Sequence, residues 1–156
     1  MKAIHNAVAT EVARSSALER LWGVAAVLSA GMATGLAERG LTLARASVLW
    51  QLQQNGPSTQ HALSRALRVT PRNVTGLVDA LEADHLVSRE PHPTDRRATL
   101  VTLTSEGASL ARAMRRDQDR FAQTLFEGVS EAELAAFLRM LDQIVLGLRK
   151  TWAPER

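Results

Sequence analysis

Arginine and short polar side chains between residues 70 and 97 are the groups of this sequence best suited to binding a partner. One set comprises Thr70, Arg72, Asn73, Thr75 and Gly76, and a second comprises the consecutive Asp95, Arg96 and Arg97. Guanidinium groups bind phosphates and guanine edges, asparagine pairs with adenine, and a carboxylate can hold an arginine in place. Because six arginines and five acidic residues lie between His61 and Arg97, affinity for a polyanion must depend on where these charges point.

Catalytic and metal-binding chemistry has little basis in the sequence. The four histidines, at positions 5, 61, 85 and 92, lack metal-ligand spacing, and the chain has no cysteine. Neither a Gly-rich phosphate loop nor a nucleophile motif occurs. We therefore expect no enzymatic activity, no metal and no cofactor. His61 could contact a phosphate, although a solvated histidine is the more ordinary interpretation.

Composition and charge indicate one soluble globular domain. The chain has 156 residues, 46% of them hydrophobic, and a formal net charge of +3. The uncharged stretch Leu21 to Ala37 is at the minimum length for a membrane span and is rich in Ala and Gly, so we expect no transmembrane helix. A signal peptide is not expected either, and the absence of cysteine fits a reducing cytoplasm.

One long helix and a second helix are predicted in the first part of the chain. Helical spacing predicts one long helix in the first forty residues, with Leu18, Leu21, Trp22, Ala25, Leu28, Met32 and Leu36 on one face. Gly40 ends it, and Thr42 caps a second helix with Val48, Leu49 and Leu52 facing inward. The sequence Asn55-Gly56-Pro57 stops that second helix.

Two short helices joined by a tight turn are predicted next. Ser58 is the expected cap of the first, whose Leu63, Ala66 and Leu67 face inward. Thr70 caps the second and Pro71 occupies its first position. Val74, Leu77, Val78 and Leu81 form its apolar stripe, which leaves Arg72, Asn73, Thr75, Gly76 and Asp79 outward. This pattern is typical of a helix-turn-helix.

A hairpin with a charged loop follows the helix pair. Leu86–Glu90 and Thr99–Leu103 are β-compatible, and Pro91, Pro93 and Asp95-Arg96-Arg97 lie between them. Such a loop taken alone is most simply a solvated turn. Directly after a helix-turn-helix, however, it predicts a wing whose arginines reach the DNA backbone or minor groove.

The sequence resembles the MarR-type winged-helix transcriptional regulators over nearly its whole length. The matching segments are "ASVLWQLQQNGPSTQHALSRALRVTPRNVTGLVDALEADHLVSRE" and "DRRATLVTLTSEG". By this resemblance, Arg97 is the wing arginine that enters the minor groove, Asp95 is its partner, and Arg96 occupies a variable position. The implied fold is mainly α with a small β-hairpin wing, in one domain spanning 1–156. Its winged helix-turn-helix covers 42–103, and residues 1–40 and 104–156 form dimerisation helices.

Apolar side chains in the terminal helices indicate a shared interface. Thr104 can cap a helix containing Leu110, Met114, Phe121 and Leu125, and Ser130-Glu131-Ala132-Glu133 is a capping box that opens the last helix. The last helix carries Leu134, Phe137, Leu138, Leu141, Val145 and Leu148. A small winged-helix unit could not bury this apolar surface alone, and the resemblance implies a homodimer.

The resemblance therefore implies a dimeric DNA-binding regulator, most simply a repressor, that binds a palindromic operator in duplex DNA. It also implies a small apolar ligand such as an aromatic or phenolic acid, for which Trp22, Arg45 and Trp50 are the candidate residues. Dry packing is the competing interpretation of the two tryptophans. A winged-helix module that binds other proteins, without specific DNA binding, is the alternative function.

Overall fold

The computed structural model describes residues 2–95 and 98–152, and for residues 2–10 it describes the backbone alone. Residues up to Ala113 form one compact unit, and residues from Met114 onward form a second. The sequence predictions for Arg96 and Arg97 lie outside the described residues.

Helices dominate the described chain, and a small sheet accompanies them. The helices are α1 (Lys2–Ala37), α2 (Leu43–Asn55), α3 (Gln60–Leu67), α4 (Pro71–Ala83), α5 (Ser105–Leu125) and α6 (Glu131–Thr151). The strands are β1 (Ser58–Thr59), β2 (Val87–Pro91) and β3 (Thr99–Leu103). The predicted class, mainly α with a β-hairpin, is confirmed.

Local capping explains where α2 and α4 begin. The Thr42 hydroxyl accepts a hydrogen bond from the Arg45 backbone N–H at 3.3 Å, and Thr70 accepts one from the Asn73 N–H at 3.3 Å. Pro71 occupies the first turn of α4, where its missing N–H costs nothing. Gly56 ends α2 with φ 74°, a left-handed conformation that glycine adopts without strain. These predicted boundaries are confirmed.

The prediction for α3 was wrong in two details. Its cap is Thr59 rather than Ser58, because the Thr59 hydroxyl accepts from the Ala62 N–H at 3.1 Å, whereas Ser58 lies in β1 opposite Val101. Ala66 is exposed rather than inward. Ser64 is buried instead, and its hydroxyl donates to the His61 carbonyl at 2.9 Å, so the polar group is satisfied.

The three strands form an antiparallel sheet in the order β1-β3-β2. Val87 pairs with Leu103 and Pro91 with Thr99, so β2 begins one residue later than predicted. Pro91 is tolerated because it lies at the end of an edge strand. The hairpin thus has a wing's connectivity to α4.

The first unit has a core in which α2, α3, α4 and the hairpin meet. Its largest fully buried side chains are Val48, Leu49, Leu63, Val74, Val78, Leu81, Val87 and Val101. The core buries the α4 stripe as predicted, except that Leu77 is only half-buried. It therefore fixes which face of α4 remains in solvent.

The terminal helices carry large apolar side chains that this single chain leaves uncovered. On α1, Trp22 is 66% exposed and Val27 is 73% exposed, while Leu36 near its end is buried. By length and composition alone, Glu11–Ala37 could also cross a membrane. In the second unit α6 has no buried residue among those described, although the Phe126 and Phe137 rings pack with centroids 6.0 Å apart.

Candidate nucleic-acid interface

Helix α4 presents a polar face opposite the core. Arg72, Asn73, Thr75, Gly76 and Asp79 are all exposed, as predicted from the sequence. Arg72 and Asn73 lie in the first turn, immediately after the Thr70 cap and Pro71. A helix presented in this way can insert its first turns into the major groove of DNA.

The hydroxyl groups of this face are already used within the protein. Thr70 accepts from the Asn73 N–H as the helix cap. The Thr75 hydroxyl donates to the Pro71 carbonyl at 3.1 Å, and it accepts from the Gln60 amide at 2.9 Å when that amide is oriented to satisfy both of its ends. The side chains of Arg72 and Asn73 have no hydrogen bond within the described residues. They are therefore the free hydrogen-bonding groups of α4's first turn.

Gly76 lies one turn further along the same face. A Cβ atom built on it would meet nothing within 4 Å, so the fold does not require glycine there. Glycine inside a helix costs roughly 1 kcal/mol relative to alanine. Because Gly76 has no side chain, the helix backbone is accessible between the neighbouring polar side chains, and a nucleotide could approach it closely.

Arg89 connects α4 to β2, a role that the sequence did not reveal. Its guanidinium forms ion pairs with Asp79 and Glu82, and the oriented Gln60 amide oxygen accepts from Arg89 Nη2 at 3.2 Å. Burial alone would lower the pKa of Arg89, but hydrogen bonds and Coulomb attraction from Asp79 and Glu82 outweigh it and raise that pKa. Arg89 thus holds the hairpin at a fixed position relative to α4.

Arg45, predicted as a ligand residue, contacts the end of α4. It forms an ion pair with Asp84, and its guanidinium also donates to the Gly40 carbonyl at 3.1 Å. Together with the Arg89 ion pairs, this contact neutralises the charge of three acidic residues, Asp79, Glu82 and Asp84.

Arg65, Arg68 and Arg72 keep exposed side chains without ion pairs among the described residues, and no Asp or Glu occurs between Glu38 and Asp79. Uncompensated positive charge is therefore concentrated on α3 and the start of α4.

The described part of the wing loop is organised by His92. Its Nδ1 accepts from the backbone N–H groups of Asp95 at 3.1 Å and Thr94 at 3.3 Å. The Ala98 N–H donates to the Asp95 carbonyl at 3.0 Å. Asp95 therefore lies in a turn closed by these hydrogen bonds, whereas Arg96 and Arg97 are outside the described residues.

The predicted ligand residues lie in different environments. Trp22 is 66% exposed on α1, whereas Trp50 on α2 is half-buried. The Trp50 Nε1 atom is buried and has no hydrogen-bond partner among the described residues. Two surface hollows of about 360 and 290 Å³ are lined by other residues, Phe126 to Phe137 and Glu11 to Glu19 respectively. Within the described chain, no group of three or more His, Asp or Glu residues could hold a metal.

A helix pair with an exposed second helix, followed by an antiparallel hairpin locked to it, defines a winged helix-turn-helix protein. The family model for MarR matches residues 41–99. Two curated relatives are the HTH-type transcriptional repressor NicR of Pseudomonas putida, 32% identical over 67% of this chain and 66% of the relative, and an HTH-type transcriptional regulator of Mycobacterium tuberculosis, 31% identical over 69% of this chain and 75% of the relative.

Solved structures agree with this assignment. The Streptococcus pneumoniae FabT structure in complex with DNA has a TM-score of 0.80 and 20% identity, over 88% of this chain and 98% of that one. The S. aureus MepR-DNA complex has a TM-score of 0.66 and 27% identity, over 85% and 96% of the two chains. The chain belongs to the MarR family. The matched segment spans about two thirds or less of the first three curated relatives, between 53% and 66% of their lengths.

Proposed function

We propose that this protein binds a specific duplex DNA site with α4 in the major groove. The observation that carries the proposal is the division of α4 into a buried face and a free polar first turn, next to uncompensated arginines. Arg72 and Asn73 are the residues that read base edges, since their side chains are exposed and uncommitted. Thr75 presents its methyl group, Gly76 allows close approach, and Thr70 positions the helix end.

Replacing Arg72 tests this assignment directly. Arg72→Ala should cost roughly 1 to 3 kcal/mol on a selected site and relax its base preference. The selected site comes from genomic DNA fragments enriched on the parent protein, and random duplex is the comparison. Equal losses on both DNAs would reduce Arg72 to a phosphate contact.

The salt dependence of binding separates this function from a protein-binding module. Neutralisation of phosphates gives a linear fall of log affinity with log salt, with a slope of about 0.9 per phosphate. If the unmodified protein bound duplex DNA weakly, without this salt dependence and without selecting a site, the alternative function as a protein-binding module would be favoured.

For the wing, we propose that Asp95, Arg96 and Arg97 contact the DNA backbone and minor groove next to the major groove that α4 occupies. The turn at Asp95, tied to His92, supports this proposal because Arg96 and Arg97 follow Asp95 directly in the sequence. Arg97 is assigned to the minor groove by the family resemblance, and Arg96 to the adjacent backbone.

We propose that the uncovered apolar faces of α1, α5 and α6 meet those of a second copy. The exposed side chains include Trp22, Val27, Phe121, Leu138 and Met140, a quantity of apolar surface that a monomer rarely leaves in water. A two-fold dimer would bind a palindromic operator with half-sites about one helical turn apart. Sedimentation of the purified protein tests whether it is a dimer. If the protein were recovered only with membranes, a membrane-spanning α1 would be favoured over a dimer in the cytoplasm.

The direction of regulation and its trigger complete the proposal. Repression is favoured because NicR carries the name of repressor. A small aromatic or phenolic ligand is proposed to bind near Trp22, Arg45 and Trp50 and to release the DNA. The Trp50 Nε1 is an unpartnered donor, but it is buried, so a ligand oxygen could reach it only by displacing the atoms that cover it. Arg45 would first have to leave Asp84. Titration with aromatic carboxylates should change the tryptophan fluorescence and release the DNA, and Trp50→Phe should reduce both signals. If neither signal changes in the parent protein, the tryptophans serve only to pack the helices.

A further inference from the structure

Arg68 ends α3 in a conformation that arginine rarely adopts. Its backbone lies in the left-handed region, with φ 54° and ψ 40°. The Arg68 N–H donates to the Arg65 carbonyl at 3.3 Å, and the Val69 N–H donates to the Ser64 carbonyl at 3.1 Å. This is the hydrogen-bond pattern with which a helix commonly ends at glycine. A side chain with a Cβ is strained there, so the fold itself would be served better by glycine.

The Arg68 side chain does not offset this strain through contacts within the chain. It is exposed and has no ion pair or side-chain hydrogen bond among the described residues. Arg65, three residues earlier, is also exposed and unpaired, and α3 contains no acidic residue. Backbone strain that packing does not explain is a reason to look for a function.

The position of Arg68 identifies that function. It lies in the turn between the two helices, two residues before the Thr70 cap of α4. When the second helix of such a pair enters the major groove, the preceding helix and the turn pass over the sugar-phosphate backbone. We propose that Arg68 is a phosphate-binding residue that anchors the start of α4 on DNA; this rests on the proposed function. It fixes the register of α4 without contributing to the choice of sequence.

His85 provides a matched control elsewhere in the same domain. It follows α4 with φ 58°, and its N–H donates to the Glu82 carbonyl at 3.0 Å while the Leu86 N–H donates to the Leu81 carbonyl at 2.9 Å. It is exposed, like Arg68. The two residues therefore share a backbone strain and a hydrogen-bond pattern but differ in charge and in distance along the chain from the first turn of α4.

The experiment compares Arg68→Gly, Arg68→Lys and His85→Gly in the full chain, on the selected site and on random duplex over a range of salt. Both glycine variants should melt a few degrees higher than the parent, because each removes a strained left-handed residue. Arg68→Gly should weaken binding to both DNAs by the same factor, and its salt slope should fall by about 0.9 for each phosphate that the arginine neutralises in the parent. Arg68→Lys should retain the parent slope, and so should His85→Gly.

Three results would overturn the inference. An unchanged salt slope in Arg68→Gly would show that Arg68 neutralises no phosphate in the parent complex. A weakening confined to the selected site would make Arg68 a base-reading residue, and a lower melting temperature would show that its side chain stabilises the fold. In each case the parent would still bind its selected site, so the proposed function would stand. If the parent binds no duplex, both proposals fail together.

Discussion

Gly107 lies where α5 meets the hairpin, and its replacement by alanine is expected to destabilise the winged-helix unit. The Thr104 hydroxyl caps α5 by accepting from the Gly107 N–H at 3.0 Å, and it donates to the His85 carbonyl at 2.7 Å. The Thr104 N–H donates to the Leu86 carbonyl at 3.2 Å. A Cβ built on Gly107 would lie 1.8 Å from that same carbonyl oxygen and 2.8 Å from its carbon.

The size of the effect follows from these distances. Backbone atoms on both sides of the clash must separate by more than about 1 Å, and insertion of a methyl group into a packed site costs about 1 to 3 kcal/mol. The shift also weakens the hydrogen bond between Thr104 and Leu86, which adds about 1 kcal/mol. Alanine's helix propensity returns up to about 1 kcal/mol. The net decrease in the free energy of unfolding is therefore about 1 to 4 kcal/mol.

Thermal unfolding at a fixed protein concentration measures this decrease. A fall of about 2 to 16 °C in melting temperature is expected for a chain of this length. Gly76→Ala is the matched control, because its Cβ would meet nothing within 4 Å and should stabilise α4 by about 0.5 to 1 kcal/mol. If Gly107→Ala melted with or above the parent, the close approach of Gly107 to Leu86 would be wrong.

Three further predictions concern the wing, the dimer and the last helix. Arg97→Ala should weaken operator binding severely with little change in melting temperature, and Asp95→Ala should do so more mildly; DNA binding equal to the parent would refute the wing assignment. Truncation after Val129 removes α6 and should abolish dimerisation and much of the stability, and a folded monomer that still protects a palindrome would contradict this. Hydrogen bonds from the Ser130 hydroxyl and then from its backbone N–H lower the pKa of Glu133 below the ordinary value of 4.5. The stabilisation from these hydrogen bonds is therefore complete above pH 4.5 and is lost as pH falls through the lowered pKa of Glu133. Ser130→Ala should reduce the fall in melting temperature over this acidic range. An unchanged fall would show that the capping box contributes nothing to stability.

Much of the fold could be predicted because its boundaries depend on local chemistry. Thr70 and Pro71 start α4 through groups within one turn of each other, and the capping box at Ser130 is equally local. The two-residue strand β1 was missed because Ser58 and Thr59 have no periodicity to detect. Its partner, Val101, lies more than forty positions away. The same pairing moved the α3 cap from Ser58 to Thr59.

The candidate site was predictable in its members but not in how they are held. An exposed face on α4 follows from the spacing of its apolar residues. That the Thr75 hydroxyl is already bonded, while Arg72 is free, follows only from distances. Arg89 is indistinguishable in the sequence from the other arginines, since its contacts with Asp79 and Glu82 depend on how the hairpin folds back on α4.

Arg45 is the residue whose predicted and observed surroundings differ most, and the difference bears on regulation. Its guanidinium donates to the Gly40 carbonyl, just beyond the end of α1, and to the Ala80 carbonyl in the last turn of α4 at 3.5 Å. It also pairs with Asp84, the residue that ends α4. A cation at a helix C-terminus is favourable, and here one cation serves the ends of two helices. Because the exposed face of α1 is the proposed dimer surface and α4 the proposed reading helix, movement of one relative to the other must break bonds to Arg45. A ligand that binds Arg45 in place of these partners would therefore favour an arrangement in which α4 has moved relative to α1. The shift of this equilibrium is limited by the difference in the ligand's affinity for the two arrangements.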